Sequence, residues 1–218
     1  RNSRMRIVVI GDTHGKHQDL GILEGDVLIH CGDFCDGFRK DPGDVGNVDA
    51  WFAKQRFEII LCVGGNHDFG VEDRIRHGEP VFQHAVWLLD EAVVHRGLKF
   101  YGSPWLPHLQ GWAFYQSSDG LRKKWSMIPD DTDVLITHTP PFGILDQPRS
   151  RNVNCGCAHL LERVREVKPQ FHLFGHNHAS AGMEKDDSTT FVNASVVDSS
   201  LEVVRTAVTF DLPANAVQ

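Results

Sequence analysis

Short apolar runs recur along the chain, and each is cut off by residues that turn the backbone. Ile7-Val8-Val9-Ile10 runs into Gly11-Asp12, Val27-Leu28-Ile29 is followed by Gly32-Asp33, and Ile59-Ile60-Leu61-Cys62-Val63 by Gly64-Gly65-Asn66. The series continues with Lys99-Phe100-Tyr101 before Gly102-Ser103-Pro104, Val134-Leu135-Ile136 before Pro140-Pro141, and Phe171-His172-Leu173-Phe174 before Gly175. Continuous β-branched or aromatic runs of this length, bounded by Gly or Pro, predict strands buried on both faces. Helical patterns lie between several of them. Asn47 is placed to cap a short helix carrying Val48, Trp51 and Phe52, while Cys157, Leu160, Leu161, Val164 and Val167 form an apolar stripe that Pro169 halts. Glu91–His95 and Leu98–Tyr101 around Arg96-Gly97 read as a hairpin, and alternation in Thr190–Asn193 and Ala207–Phe210 predicts later, half-exposed strands. Strands alternating with helices early and hairpins late imply an α/β layered domain with mixed sheets.

With 218 residues and no repeat, low-complexity tract or linker-like stretch, the chain reads as one domain, 1–218. No apolar run approaches the ~20 residues that cross a bilayer, so no membrane span is expected. Residues 1–4 read as a non-native leader before Met5, and the start carries no apolar signal segment, which makes a cytoplasmic location the expectation. A net charge of −7 argues against a stable grip on a nucleic-acid polymer, which needs clustered cations facing phosphates. The cysteines, five in number and without paired Cys-x-x-Cys spacing, predict reduced thiols. Cys155-Gly156-Cys157 opens a helix, where a thiol pKa can be depressed, but small residues at a crowded turn explain the pattern more simply. The thirteen histidines are the oddity of the composition, because neutral imidazole is the commonest transition-metal ligand.

Their positions carry the argument. Five of the predicted strands end in residues that can bind metal: Asp12 and His14 after the first, Asp33 after the second, Asn66 after the third, His138 after the run near 135, and His176 and His178 after the run near 173. In layered α/β sheets, loops at the carboxyl ends of neighbouring strands converge, with strands only ~5 Å apart. Those seven side chains can therefore meet at one place. Asp, His and Asn without thiolate suit a catalytic Mn, Fe, Co, Ni or Zn ion better than a structural zinc. The glycines before Asp12, Asp33, Asn66 and His176 are read as serving backbone angles that a residue with Cβ resists, and as letting backbone approach an ion.

Asp12-x-His14, Gly32-Asp33, Gly65-Asn66-His67-Asp68, His138 and Gly175-His176-Asn177-His178 together resemble the motif set of the calcineurin-like metallophosphoesterase superfamily. Tyr101–Trp105, Gly111–Phe114, Trp125–Pro129, His138–Pro141 and Phe191–Ser195 are similar to stretches of its small metallophosphoesterase-domain-containing subgroup, so the resemblance covers nearly the whole chain. It implies two mixed β-sheets packed face to face as a sandwich flanked by helices. It also implies two divalent ions, manganese first among them, with Asp12, His14, Asp33 and His178 around one and Asp33, Asn66, His138 and His176 around the other. Some vertebrate members of the subgroup carry Gly where this chain has His176, so a complete second site is expected here. The implied reaction is hydrolysis of a small phosphodiester, with cyclic nucleotides the candidates the subgroup suggests. A hydroxide bridging the ions would attack phosphorus, His67 would protonate the leaving alkoxide as general acid, and Asp68 would orient and charge His67.

Other residues have a bland reading beside a sharp one. His30 and His172, inside apolar strands, are expected to be hydrogen-bonded core residues; His17, His77, His84, His95, His108 and His159 are expected at the surface or in packing. Trp105, Trp112, Phe114, Tyr115 and Trp125 can stack a nucleobase at the site, Trp112 first among them, and packing under a long loop accounts for them equally. Arg149 and Arg151 can steer an anionic substrate and Arg122-Lys123-Lys124 a larger one, against a default of solvated charge. Three other functions compete. A protein phosphatase would carry Gly-Asp-x-x-Asp-Arg-Gly, and Gly32-Asp33-Phe34-Cys35-Asp36-Gly37 lacks the Arg; a nuclease would need a basic stripe; a scaffold without turnover would be expected to have lost donors. The oligomeric state is left open.

Overall fold

The computed structural model describes residues 3–36, 43–148 and 153–214. Four parallel strands, β1 (Ser3–Ile10), β2 (Val27–His30), β3 (Ile59–Cys62) and β4 (Val86–Trp87), lie side by side in that order. The last strand of the chain, β11 (Val208–Ala214), adds to β1 antiparallel, pairing Ser3 with Ala214 and Val9 with Val208. The second sheet has the order β5 (Glu91–His95), β6 (Leu98–Ser103), β7 (Val134–Thr137), β8 (Phe171–Phe174), β10 (Thr190–Asn193), β9 (Gly182–Lys185). Its four central strands are parallel and its two edges antiparallel, so both sheets are mixed, as expected.

Apolar side chains fill both faces of each sheet, which is why the strands read as unbroken hydrophobic runs. Met5, Ile7, Val9, Val27, Ile29 and Leu61 of the first sheet pack directly on Phe100, Val134, Ile136, Leu173 and Val192 of the second. On the far face of the first sheet, Val8, Ile10, Leu28 and Ile60 meet Val45, Val48, Trp51 and Phe52 of α1 (Asp44–Phe52) and Val71 of α2 (Phe69–Arg76). On the far face of the second, Tyr101, Leu135, Phe174 and Phe191 meet Leu121 and Trp125 of α3 (Ser118–Ser126) and Leu160 and Val164 of α4 (Ala158–Val167). The result is the helix–sheet–sheet–helix sandwich. Trp51 and Trp125 are both about 1% exposed, one on each outer layer, and truncating such a side chain to Ala costs about 3–5 kcal/mol.

Local chemistry explains the boundaries. Helix α4 ends at Lys168 in the left-handed region because Pro169 disfavours a helical residue before it. The β5–β6 hairpin turns on Arg96 and Gly97, at φ 48° and 82°, a two-residue turn whose twist matches its strands. Two expectations are corrected. Asn47 lies within α1, whose cap is Gly43. Thr190–Asn193 is not half-exposed: β10 is covered on both edges by β8 and β9, and Phe191, Val192 and Asn193 are buried. Helices α2 and α3 have weak apolar stripes, one buried residue and two, and sequence patterning passes over them. Among the described residues, no helix is long and apolar enough to cross a membrane. All five cysteines are free.

Candidate metal centre

The strand order sets β1, β2 and β3 of one sheet and β7 and β8 of the other so that the loops leaving their carboxyl ends share one rim. The backbone of that rim is tightly laced. Asp12 N–H donates to the Gly32 carbonyl at 2.9 Å, His14 N–H to the Asp33 carbonyl at 3.0 Å, and Gly175 N–H to the His138 carbonyl at 3.1 Å.

Four of the seven predicted donors sit in the left-handed region: Asp12 at φ 56°, His14 at 43°, Asp33 at 56° and His176 at 72°. Non-glycine residues adopt such angles at a cost of order 1–3 kcal/mol, and clusters of them mark sites where the surrounding structure imposes the geometry. This corrects the expectation for the glycines. Of the four preceding a donor, only Gly32 has positive φ, at 93°. Gly65 and Gly175 are required by space instead, since a Cβ at Gly65 would stand 2.2 Å from Asp33 Oδ1 and one at Gly175 2.3 Å from Asp12 Oδ2.

The seven donors do converge. His14 Nε2 and His178 Nε2 are 3.2 Å apart, His178 Nε2 is 3.6 Å from Asp12 Oδ1, and His14 Nε2 is 3.9 Å from Asp33 Oδ2. On the other side of Asp33, His138 Nε2 lies 3.4 Å from the same Oδ2 and 3.0 Å from Asn66 Oδ1, while His176 Nδ1 is 2.9 Å from Asn66 Oδ1 and 3.2 Å from His138 Nε2. Asp12–His14–His178 and Asp33–His138–His176 each hold their ligand atoms within 4.8 Å of one another. Separations of this size are those of donors about 2 Å from a common centre, and nitrogen and oxygen donors without thiolate fit divalent transition ions. His138 is oriented for that role, because its Nδ1 donates to the Cys31 carbonyl at 2.8 Å and leaves Nε2 to face the carboxylate.

Electrostatics bind the cluster together. Burial pushes Asp33 up, but the imidazoles of His138, His14 and His67 outweigh it and hold the carboxyl well below the usual range. Asp12 is likewise pushed up by burial and pulled below its ordinary value by His178. Burial lowers His138, yet the charge and hydrogen bond of Asp33 lift it to about 9; His176, with burial and the neighbouring His138 both against the charged form, falls to about 4. His67 is lowered by burial, with Asp33 pulling the other way.

His67 stands over the cluster. Its backbone N–H donates to Asp33 Oδ1 at 2.8 Å, and its ring lies edge-on to His14 and to Trp112, each with centroids 4.8 Å apart. Asp68 does something other than expected. Its Oδ2 accepts from the N–H groups of Asp33 and Gly65, at 2.8 and 2.7 Å, and its Oδ1 from Phe34 and Cys35, at 3.1 and 3.0 Å. The carboxylate is thus spent on shaping the loop that carries Asp33, rather than on the ring of His67. Burial and the negative Asp33 push its pKa up to about 7, against those backbone donors.

The predicted aromatics divide. Phe114 and Trp125 are core, Trp105 donates to Asp90, Tyr115 lines a cavity beside Gln116, and Trp112 is 36% exposed next to His67. Lys124 also pairs with Asp90, at 2.7 Å. Arg149 and Arg151 lie outside the described residues. His30 and His172 are core histidines as expected, hydrogen-bonded to the hydroxyls of Thr13 and Thr137 at 3.0 and 2.9 Å.

A buried clamp escaped the sequence reading. Asn193 Nδ2 donates to the carbonyls of Leu145 and Asn177, at 3.1 and 2.9 Å, and Asn177 Nδ2 donates to the Asp146 carbonyl. Together they fix the His176–His178 loop against the loop that follows His138. Nothing in residue spacing announces it, since the two side-chain amides reach their backbone carbonyls only through the β8–β10 pairing and the long loop.

Two mixed sheets with a rim of histidines, carboxylates and one amide define a metal-dependent phosphoesterase architecture. Comparison with known proteins agrees. The calcineurin-like phosphoesterase family profile matches residues 5–180, and the chain belongs to that family. It is 33% identical to human metallophosphoesterase domain-containing protein 1 across 95% of this chain and 71% of that one. It is 35% identical to UPF0046 protein C25E10.12 of Caenorhabditis elegans across 97% of this chain and 82% of the other. A crystal structure sharing 16% identity superposes with a TM-score of 0.66 over 88% of this chain and 90% of its own, which speaks for the fold. Hydrolysis of phosphoesters with divalent metal is what the family does.

Proposed function

We propose that the protein is a phosphodiesterase for small diesters, cyclic nucleotides foremost, using two divalent ions, with manganese the first candidate. The observation that carries this reading is the sharing of Asp33. One fully buried carboxylate faces His14 on one side at 3.9 Å and His138 on the other at 3.4 Å, with the remaining donors divided between the two flanks. Asp12, His14, His178 and Asp33 would hold one ion, and Asp33, Asn66, His138 and His176 the other. Ions bound there supply Lewis acidity toward phosphoryl oxygens and make a nucleophile available near neutral pH.

The chain's own groups do the rest. His67, beside Asp33 whose negative charge opposes the lowering of its pKa by burial, delivers a proton to the departing alkoxide from its protonated, imidazolium form. Asp68 holds the loop of Asp33, and Trp112 confines the His67 ring from the solvent side. A diester is favoured over a phosphoprotein monoester because the stretch from Asp33 to Gly37 carries no arginine to meet a dianion. The unpaired cysteines support a reducing, cytoplasmic setting.

The test is metal-stripped protein reloaded with Mn, Ni or Zn and assayed on bis-nitrophenyl phosphate, nitrophenyl phosphate, and 2′,3′- and 3′,5′-cyclic nucleotides, with Asp33→Ala as control. Diester turnover that Asp33→Ala reduces at least ~10²-fold is expected, since loss of an outer-shell partner alone costs 10–100-fold. Preference for the monoester would make the protein a phosphatase, and silence on every substrate would make it a scaffold.

A further inference from the structure

Between β10 and β11 the chain crosses from the second sheet back to the first, and on the way it touches both loops that carry the Asp12, His14 and His178 flank of the donors. Val196 N–H donates at 3.1 Å to the carbonyl of Gly11, the residue before Asp12. Lys16, two residues after His14, pairs with Glu202 at 2.5 Å. The ring of His178 hydrogen-bonds to the backbone carbonyl of Asp198. Three separate contacts therefore join this connection to one flank.

The connection is a short hairpin, with Val197 and Val203 bridged antiparallel and Val196 and Val197 buried at its base. One side chain shapes its turn. Asp198 Oδ1 accepts from the N–H groups of Ser200 and Glu202, at 2.8 and 3.1 Å, while Asp198 N–H donates to the Glu202 carbonyl at 3.0 Å and Leu201 N–H to the Asp198 carbonyl at 3.1 Å. Leu201 stands at φ 60°, a conformation that a leucine resists and that these bonds impose. The carbonyl that Leu201 meets is the one that receives His178, so the Asp198 carboxylate fixes where that acceptor lies.

The other flank is oriented differently. His138 donates to the carbonyl of Cys31, a fully buried residue directly after β2. For His178 the acceptor stands on a surface turn whose Ser200 and Glu202 are exposed. An imidazole that commits its N–H to a carbonyl presents its other nitrogen to an ion in a fixed direction. In His178 it is Nε2 that faces Asp12 Oδ1 at 3.6 Å and His14 Nε2 at 3.2 Å.

We propose that Asp198 is a positioning residue for one of the two ions: its carboxylate holds the turn that orients His178, Glu202 latches that turn to Lys16, and the affinity of Asp12, His14 and His178 for a divalent ion is set from this hairpin. The inference rests on the division of the donors between two ions and is indifferent to the substrate.

The test is a zinc titration of the metal-stripped full chain followed by nitrogen-15 NMR of the imidazoles, which reports one flank through His14 and His178 and the other through His138 and His176. Asp198→Ala should weaken binding read at His14 and His178 by about 10–100-fold and act far less at His138 and His176. Asp198→Asn, which keeps an acceptor oxygen in place, should recover most of that affinity. Glu202→Gln, which removes only an exposed ion pair, should cost no more than about fivefold. The metal-free wild-type chain gives a readout that needs no substitution: His178 should hold a single tautomer, fixed by Asp198, and a mixture of tautomers would overturn the proposal. Equal weakening of both flanks by Asp198→Ala, or no recovery in Asp198→Asn, would reduce Asp198 to a general support of the fold and overturn it as well. Zinc binding at all four rings that Asp198→Ala leaves unchanged would overturn this inference alone, whereas zinc that shifts none of the four would overturn the two-ion reading with it.

Discussion

Fully buried imidazoles occur in two regions, inside the strands at His30 and His172 and on the carboxyl rim at His138, and all three have no exposed surface. Inside the strands each ring meets a threonine hydroxyl, and burial drives the pKa of both down to about 3. On the rim the ring meets Asp33, and the pKa rises to about 9. Equal dryness therefore gives opposite charge preferences, and the partner decides. The two regions are also joined, because Thr13 lies between Asp12 and His14 and Thr137 precedes His138. The strand histidines brace the backbone that presents the rim.

The largest effect that would sharpen this contrast is at His67. His67→Ala should slow esters with poor leaving groups by ~10²–10⁴ while affecting nitrophenyl esters much less, measured as paired kcat/KM values. Equal slowing of both would remove it from proton delivery.

Next come the glycines at the rim. Gly175→Ala places a Cβ 2.3 Å from Asp12 Oδ2 and should weaken metal affinity by about 10–100-fold, whereas Gly11→Ala, whose Cβ meets its nearest atom at 3.4 Å, should change it little. Competition with a metallochromic chelator reads both, and equal effects would mean that the strand end, not the rim, sets the donors.

The pH dependence of metal uptake follows from His138. Below about 9 the metal-free ring keeps its proton, which an incoming ion must displace, so affinity should rise about tenfold per pH unit between 7 and 9 and flatten above. Calorimetry in buffers of different ionisation enthalpy would count the released proton. A flat profile would put the resting proton elsewhere.

The last effect, read in folding stability rather than in binding or turnover, belongs to the strand histidines. Their folded pKa, about 3, lies below the unfolded value near 6.5, so the unfolded chain binds more protons between those limits. Stability is then intact above pH 6.5 and lost as pH falls toward 3, by about 2 kcal/mol per histidine at pH 5. Urea midpoints at pH 7 and 5 should show the loss, and a His30→Gln, His172→Gln double variant should lack most of it. An unaltered acid sensitivity in that variant would assign the effect to other groups.

Several features were legible in the chain because they depend on neighbours in sequence. Runs such as Ile7–Ile10 and Phe171–Phe174 name buried strands whatever surrounds them, and a donor directly after such a run falls on the carboxyl rim. The hairpin at Arg96-Gly97 and the end of α4 at Pro169 are likewise local. Helices α2 and α3 were not, since each buries only one or two side chains and owes its place to the sheet beneath it.

What the sequence by itself determined is the donor set and its order, because residue type and strand-end position suffice to bring Asp12, His14, Asp33, Asn66, His138, His176 and His178 to one rim. Only the tertiary structure decided that Asp33 faces both flanks, that Asp68 turns to four backbone N–H groups, and that Asn193 reaches Leu145 and Asn177. Each of those depends on where a side chain finds its partner across the sandwich. Spacing along the chain carries no record of that distance.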